Sequence, residues 1–269
     1  MKAKMYVCLA LSLCLAACST VSMTGRKQLN LVSESEILSA SLTEYQSYMK
    51  TAKISTDATA TAVVKNVAQR IAAAAEAYLK TAGQEADIAN YAWEFNLVND
   101  SQLNAFCMPG GKIVVYTGML NLIGNGSDRD DMLAAVIGHE VGHAIAKHGN
   151  ERASQQVLAN LGGSLLGAAV SQKSEATQQA VAMAYGLGTQ YGALLPFSRK
   201  QELEADYIGV ILAILAGYEA NASITLWEKM SAASTSTTAE FMSTHPSSTT
   251  RISELKKSIP QVKAQLGVK

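Results

Sequence analysis

Aromatic residues make up only 6 % of this 269-residue chain, and it has only four histidines and four cysteines. Its 22 basic and 22 acidic residues leave no net charge. It therefore offers no surplus of positive charge for phosphates, and no nucleic-acid partner is expected. After its first residues it also lacks an apolar run that could span a bilayer. The stretch 157–170 is too short and carries Asn160 and Ser164. Ala, Ser, Thr and Gln are abundant instead. Ala-rich stretches favour helix, because Ala loses no side-chain entropy there. The length allows one large domain or two small ones, and is enough to bury a proper core.

The first residues read as an address. Lys2 and Lys4 form a short positive region, an apolar run follows, and the small residues Ala16 and Ala17 precede Cys18. Leu15-Ala16-Ala17-Cys18 resembles the bacterial lipoprotein box, in which the peptide is cut before a cysteine that is then lipidated. Residues 1–17 are thus expected to be a signal peptide, and Cys18 the lipid anchor to a membrane, held by more than one acyl chain. Ser19, rather than Asp, resembles the Gram-negative lipoproteins sorted to the outer membrane, where the chain would face the periplasm. Losing Lys2 and Lys4 with no acid leaves the mature part slightly acidic. Cys8 and Cys14 leave with the signal, so Cys107 has no internal disulfide partner. It is read as a half-buried small hydrophobe.

Residues 18–33 read as a polar tether. A domain is expected over 34–258, with N-terminal helices over 34–90 and a core over 91–258, and a tail over 259–269. Ser33-Glu34-Ser35-Glu36 opens the first helix with a cap and early acids. Residues 59–81 form a second, with Val63, Val67, Ile71 and Ala74 on one face. Trp93, Phe95 and Leu97 alternate with polar neighbours as in a half-buried strand. Pro109-Gly110-Gly111 between apolar runs signals a hairpin, and 117–123 a short helix. Residues 128–148 read as a helix with Asp128, Asp130 and Asp131 at its start, as the macrodipole prefers, and Gly149 as its stop. Further helices are expected within 154–195, over 199–218 and over 249–258, with a Ser/Thr-rich loop at 231–238. The pattern is α+β and mainly helical.

His139-Glu140-Val141-Gly142-His143 carries the chemistry. Histidines at i and i+4 share a helix face about 6 Å apart along the axis, so both can reach one zinc ion. Glu140 beside them can take a proton from a water activated by the metal. A third ligand is still needed. The arrangement HExxHxxGxxH is excluded, because Ala146 and Gly149 stand at its matching positions. His148 rotates off the ligand face and is assigned to the helix C-terminus, near the dipole. Glu202 and Glu204 are the remaining candidates. Glu202 shares a helix face with Asp206, so Glu202 is taken as the ligand and Asp206 as the acceptor that orients a ligand histidine. Glu204 points elsewhere.

With HEVGH, Glu202-x-Glu204-Ala205-Asp206, Asn104-Ala105-Phe106 with Pro109-Gly110-Gly111, and Thr244-His245-Pro246 with Arg251-Ile252, the chain resembles the gluzincin peptidases of the HtpX, BepA and CAAX-prenyl-protease type. The resemblance runs from about 93 to 252. With a lipoprotein box and no membrane helices or helical-repeat tail, it is most similar to the LoiP (YggG) lipoproteins. The resemblance implies a zincin-like fold with a small sheet beside the active-site helix, one Zn2+ per chain and endopeptidase activity. It implies unfolded or misfolded envelope proteins as substrates, in protein quality control, with an outer-membrane protein as a further partner. It also places His245 near the metal, either as a latch on the open position or as an oxyanion donor, and gives Arg251 the task of holding this segment or an acidic partner. Asn104, Ala105 and Phe106 would receive an extended substrate as an added strand. The alternative is an assembly chaperone or scaffold that uses the cleft for binding alone.

Overall fold

The computed structural model describes residues 18–162, 198–233, 245 and 249–268. The chain begins with β1 (Cys18–Thr20) and β2 (Lys27–Leu29), an antiparallel pair. It continues with α1 (Glu34–Met49), α2 (Ala58–Thr81) and the single turn α3 (Glu85–Ile88). Strands β3 (Glu94–Val98), β4 (Ala105–Met108) and β5 (Lys112–Tyr116) follow, then α4 (Thr117–Ile123), α5 (Arg129–Ile145) and α6 (His148–Gly162). Helices α7 (Arg199–Leu215), α8 (Ala222–Ala232) and α9 (Thr249–Gln265) complete the described part.

Local chemistry accounts for most of these boundaries. Ser33 and Glu36 form a reciprocal capping box at α1, Asp57 accepts from the Ala60 amide at α2, and Ser198 with Gln201 boxes α7. Pro109-Gly110-Gly111 turns β4 back on β5 in antiparallel register, while β3 pairs with β5 in parallel. The sheet order is β3-β5-β4, so β5 is central. Its Ile113, Val114 and Val115 are fully buried, because both faces of the sheet are covered. On one face Leu97, Ala105, Cys107, Ile113 and Val115 join the main core with α2 and α5. On the other, Val98, Met108, Val114 and Tyr116 pack with Tyr45, Tyr48 and Met49 of α1.

Several boundaries differ from the sequence reading. Residues 18–33 are more than a tether: they form the β1–β2 hairpin, and Val21 and Met23 enter the main core. The expected tail is helical as far as Gln265, with Ile259 and Val262 buried in that core. Helix α5 stops at Ile145, before Gly149, because Lys147 adopts a left-handed φ of 55° and a new helix starts at His148. Cys107 is fully rather than half buried. The helix expected within 154–195 falls outside the described residues beyond Gly162, as does the Ser/Thr loop beyond 233. Among the described residues, no helix is long and apolar enough to cross a membrane.

Helix α5 lies at the centre, packed against α2, α7, α8 and β4. Its contact with α7 is made backbone to backbone. A Cβ on Gly142 would stand 2.8 Å from the Ala205 carbonyl oxygen, and one on Gly209 would stand 2.9 Å from the His139 amide nitrogen. No side chain fits between the helices there. Gly142→Ala tests this. Helix propensity alone would favour Ala by about 1 kcal/mol, whereas the clash should cost about 1–3 kcal/mol. A net loss of stability is expected in denaturant unfolding; a gain would show that the helices are not in forced contact.

Candidate metal centre

Helix α5 carries His139, Glu140 and His143 on its inner side, and all three are buried. Helix α7 brings Glu202 from its first turn and Asp206 one turn later, both buried. The close α5–α7 packing sets these side chains face to face. His143 Nε2 lies 3.1 Å from His139 Nε2 and 3.3 Å from Glu202 Oε1. His139 Nε2 lies 3.6 Å from Glu202 Oε2. His245, also buried, closes the group, with Nδ1 3.3 Å from His139 Nε2 and 3.1 Å from Glu202 Oε1. One donor atom from each of His139, His143, Glu202 and His245 fits within 4.8 Å of the others.

This donor set fits a tetrahedral cation. Ligand atoms about 2.0–2.1 Å from such an ion lie about 3.3 Å from one another, close to the separations above. His139 Nδ1 faces Asp206 Oδ1 at 2.9 Å, which draws the ring proton to Nδ1 and leaves Nε2 a bare lone pair aimed into the cluster. A further sign is Glu140. Its buried Oε1 has no hydrogen-bond partner among the described residues, and His245 Nε2 is 3.6 Å away. A buried carboxylate oxygen left without a donor is costly, unless the site takes up a water or a substrate.

Charges around the cluster are paired. Arg251, at the start of α9, is buried. It donates from Nη1 to Glu202 Oε2 at 2.6 Å, from Nε to Asp206 Oδ2 at 2.7 Å and from Nη2 to Asp206 Oδ1 at 2.5 Å. Its guanidinium stacks 3.5 Å above the Trp227 ring, a cation–π contact that seals the inner wall. Burial alone would raise the Glu202 carboxyl, but His245, His143 and Arg251 outweigh it and hold Glu202 well below the usual range. At Asp206 burial is likewise outweighed, by Arg251 and His139, and the carboxyl is held low. Burial pushes Glu140 up, against the pull of His245 and His139. Desolvation drives His143 well below its ordinary value, so the ring is neutral, as a ligand must be.

The structure thus brings His139, Glu140, His143, Glu202, Asp206 and His245 to one place. Arg251 holds acidic partners, as expected. Asn104 precedes β4, and Ala105 and Phe106 lie in it. Among the described residues β4 pairs only with β5, so its other edge is unpaired by any strand, and it packs on α5. Two members of the surroundings were not anticipated. Trp227 gave no sequence signal. His148, assigned to a helix end, is fully buried, and its Nδ1 lies 2.8 Å from His143 Nδ1. On a continuous helix a residue five positions on would turn away from the ligand face. The left-handed Lys147 breaks the helix and returns His148 to it.

Comparison with known proteins gives a consistent picture. The sequence model of peptidase family M48 matches residues 59–259. The chain belongs to this family, whose members are zinc metallopeptidases, and the mainly helical fold with a small sheet is its zincin-like domain. It is 40 % identical over 157 residues to the mitochondrial metalloendopeptidase OMA1 of Arabidopsis thaliana, covering 58 % of this chain and 29 % of that protein. With OMA1 of Schizosaccharomyces pombe it shares 35 % over 175 residues, 64 % of this chain and 48 % of the relative. With the beta-barrel assembly-enhancing protease of Escherichia coli K12 it shares 27 % over 179 residues, 64 % and 35 % of the two chains. The chain therefore spans 29–48 % of the length of these relatives.

Proposed function

We propose that this M48 peptidase is a zinc endopeptidase of the bacterial envelope, with His139, His143 and Glu202 as metal ligands and Glu140 as general base. The buried Glu140 Oε1, without a hydrogen-bond partner among the described residues and beside three converging donors, is the observation that carries this reading. Zinc bound there supplies Lewis acidity, which lowers the pKa of a water towards about 7 and polarises a peptide carbonyl. Glu140 takes the proton of the attacking water on its free oxygen and delivers it to the leaving amine, so that each product carries its full complement of hydrogens. Asp206, fixed by Arg251, holds the His139 ring in the tautomer that points Nε2 inward. The unpaired edge of β4 can accept an extended chain by main-chain hydrogen bonds. Such binding reads little sequence and requires an unfolded segment, which suits unfolded or misfolded envelope proteins as substrates.

His245 stands at the fourth corner of the donor set. In that position it acts as a resting ligand, occupying the place that an attacking water needs. Glu202 and Glu140 draw a proton onto the ring against the effect of burial, and that proton must leave before His245 can serve as a ligand.

The lipoprotein box supports anchorage through Cys18 in the outer membrane, facing the periplasm, as in LoiP-type lipoproteins. An export signal and lipidation site argue for this setting over the mitochondrial one of the OMA1 relatives. An outer-membrane protein partner would follow from the same setting.

Three measurements test these readings. Glu140→Gln should fold and retain zinc but lose cleavage of an unfolded substrate such as casein, because an amide cannot serve as base. Undiminished proteolysis would exclude the mechanism, and unimpaired client assembly by the variant in cells would favour a chaperone. His245→Ala should leave zinc in place with turnover equal to or above wild type. A drop of about a hundred- to a thousand-fold would make His245 a transition-state donor instead. Cys18→Ser should release the protein from membrane fractions; persistence there after signal removal would reveal a second attachment.

A further inference from the structure

The two histidine ligands are held from behind in different ways. His139 leans directly on Asp206. Behind His143, Nδ1 meets His148 Nδ1 at 2.8 Å, and His148 Nε2 meets Glu204 Oε2 at 2.8 Å. A neutral imidazole carries one proton, which fixes the direction of this chain. If His143 gives Nε2 to the metal, its proton is on Nδ1 and is donated to His148 Nδ1. The His148 proton then lies on Nε2 and is donated to Glu204. A carboxylate thus reaches His143 through a second imidazole.

Glu204 is held in turn by the N-terminal hairpin. Arg26 Nε donates to Glu204 Oε2 at 2.6 Å, and Thr24 Oγ1 donates to Glu204 Oε1. The rest of the guanidinium is committed to Glu151 on α6, with Nη1 to Oε1 and Nη2 to Oε2 both at 2.8 Å. Gln201 of α7 donates to the same Glu151 at 2.7 Å. The fork of Arg26 therefore ties together α6, which carries His148, and α7, which carries Glu204 and Glu202. Planar, two-sided bonding of this kind needs guanidinium; an ammonium offers a single point of charge. The hairpin is seated firmly enough to do this, since Val21 and Met23 are buried in the main core.

We propose that Arg26 is a positioning residue for the metal centre: through Glu204 and His148 it fixes the orientation of His143, so that docking of the N-terminal hairpin sets how tightly zinc is held. This rests on the ligand role of His143 proposed above. It gives the segment just after the anchor a structural hold on the site, so that pulling the hairpin away would loosen the ion.

The test uses the full mature chain. Zinc affinity is measured by chelator competition for the wild type and for Arg26→Ala, Arg26→Lys, Glu204→Gln and His139→Ala, alongside the melting temperature of each with and without zinc. His139→Ala serves as the control on the ligand reading: if it retains wild-type zinc affinity, that reading fails, whatever Arg26 does. Given loss of zinc in that control, Arg26→Ala should bind zinc about ten- to a hundredfold more weakly, with a smaller zinc-induced rise in melting temperature. Arg26→Lys should recover only part of the loss. A merely structural role would lower the metal-free and zinc-bound melting temperatures together and leave the affinity unchanged, and that result overturns the proposal. If Arg26→Ala does not fold, Glu204→Gln decides, since it keeps the side-chain shape and removes the charge: weakened zinc binding supports the proposal, and wild-type affinity overturns it.

Discussion

The contact between α5 and α7 is the constraint on which the rest of the site depends. Zinc-type ligand atoms must meet within a few ångströms, and histidine and glutamate side chains are short. Helices separated by ordinary side chains lie about 8–10 Å apart. Gly138 and Gly142 on α5, against Ala205 and Gly209 on α7, remove that padding. The backbones touch, and Glu202 reaches His139 and His143 without an extended rotamer having to span a gap. The same small residues assemble the donor set from buried side chains, where electrostatic interactions are strong.

That interior carries a definite charge problem. Glu140, Glu202 and Asp206 are buried with Arg251 as their buried cation. Counted as carboxylates, these three acids exceed the one guanidinium by two negative charges, and buried charge is tolerated only when compensated. A divalent cation at the donor set would cancel it. Protonation of His245, which its acidic neighbours favour, cancels half. A protonated His245 cannot bind an ion, so the proton and the ion are alternative ways of compensating the same buried acids.

The parts legible in the sequence are those governed by local rules. The capping residue Ser33, the Pro109-Gly110-Gly111 turn and the i, i+4 pairs His139/His143 and Glu202/Asp206 all act within one or two turns of chain, and the structure has each where the spacing puts it. What could not be read is set by contacts across the chain. Arg26 sits 178 residues from Glu204, and nothing nearby distinguishes it from Lys27, the other cation of that polar stretch. Trp227 packs in the main core beside His139, and α9 lays Arg251 over it. The end of α9 was missed because Pro260 and a polar flank suggest a stop, while burial of Ile259 and Val262 carries the helix on.

His148 shows how a sound local rule can give a misleading answer. The helical-wheel argument places it off the ligand face, and it would lie there if α5 continued. One left-handed residue, Lys147, costs on the order of 1–2 kcal/mol in backbone conformation. It is offset by ion pairs of Lys147 with Glu34 and Asp87 at 2.8 and 3.4 Å, and by the seat it gives His148 between His143 and Glu204. The break also separates two sides of the site. On one, Arg251 from the C-terminal helix fixes Asp206 and His139; on the other, Arg26 from the N-terminal hairpin fixes Glu204 and, through His148, His143. Each ligand histidine is thus braced from an opposite end of the domain. On the proposal made for Arg26, the affinity of the site for an ion therefore depends on how firmly both ends are docked.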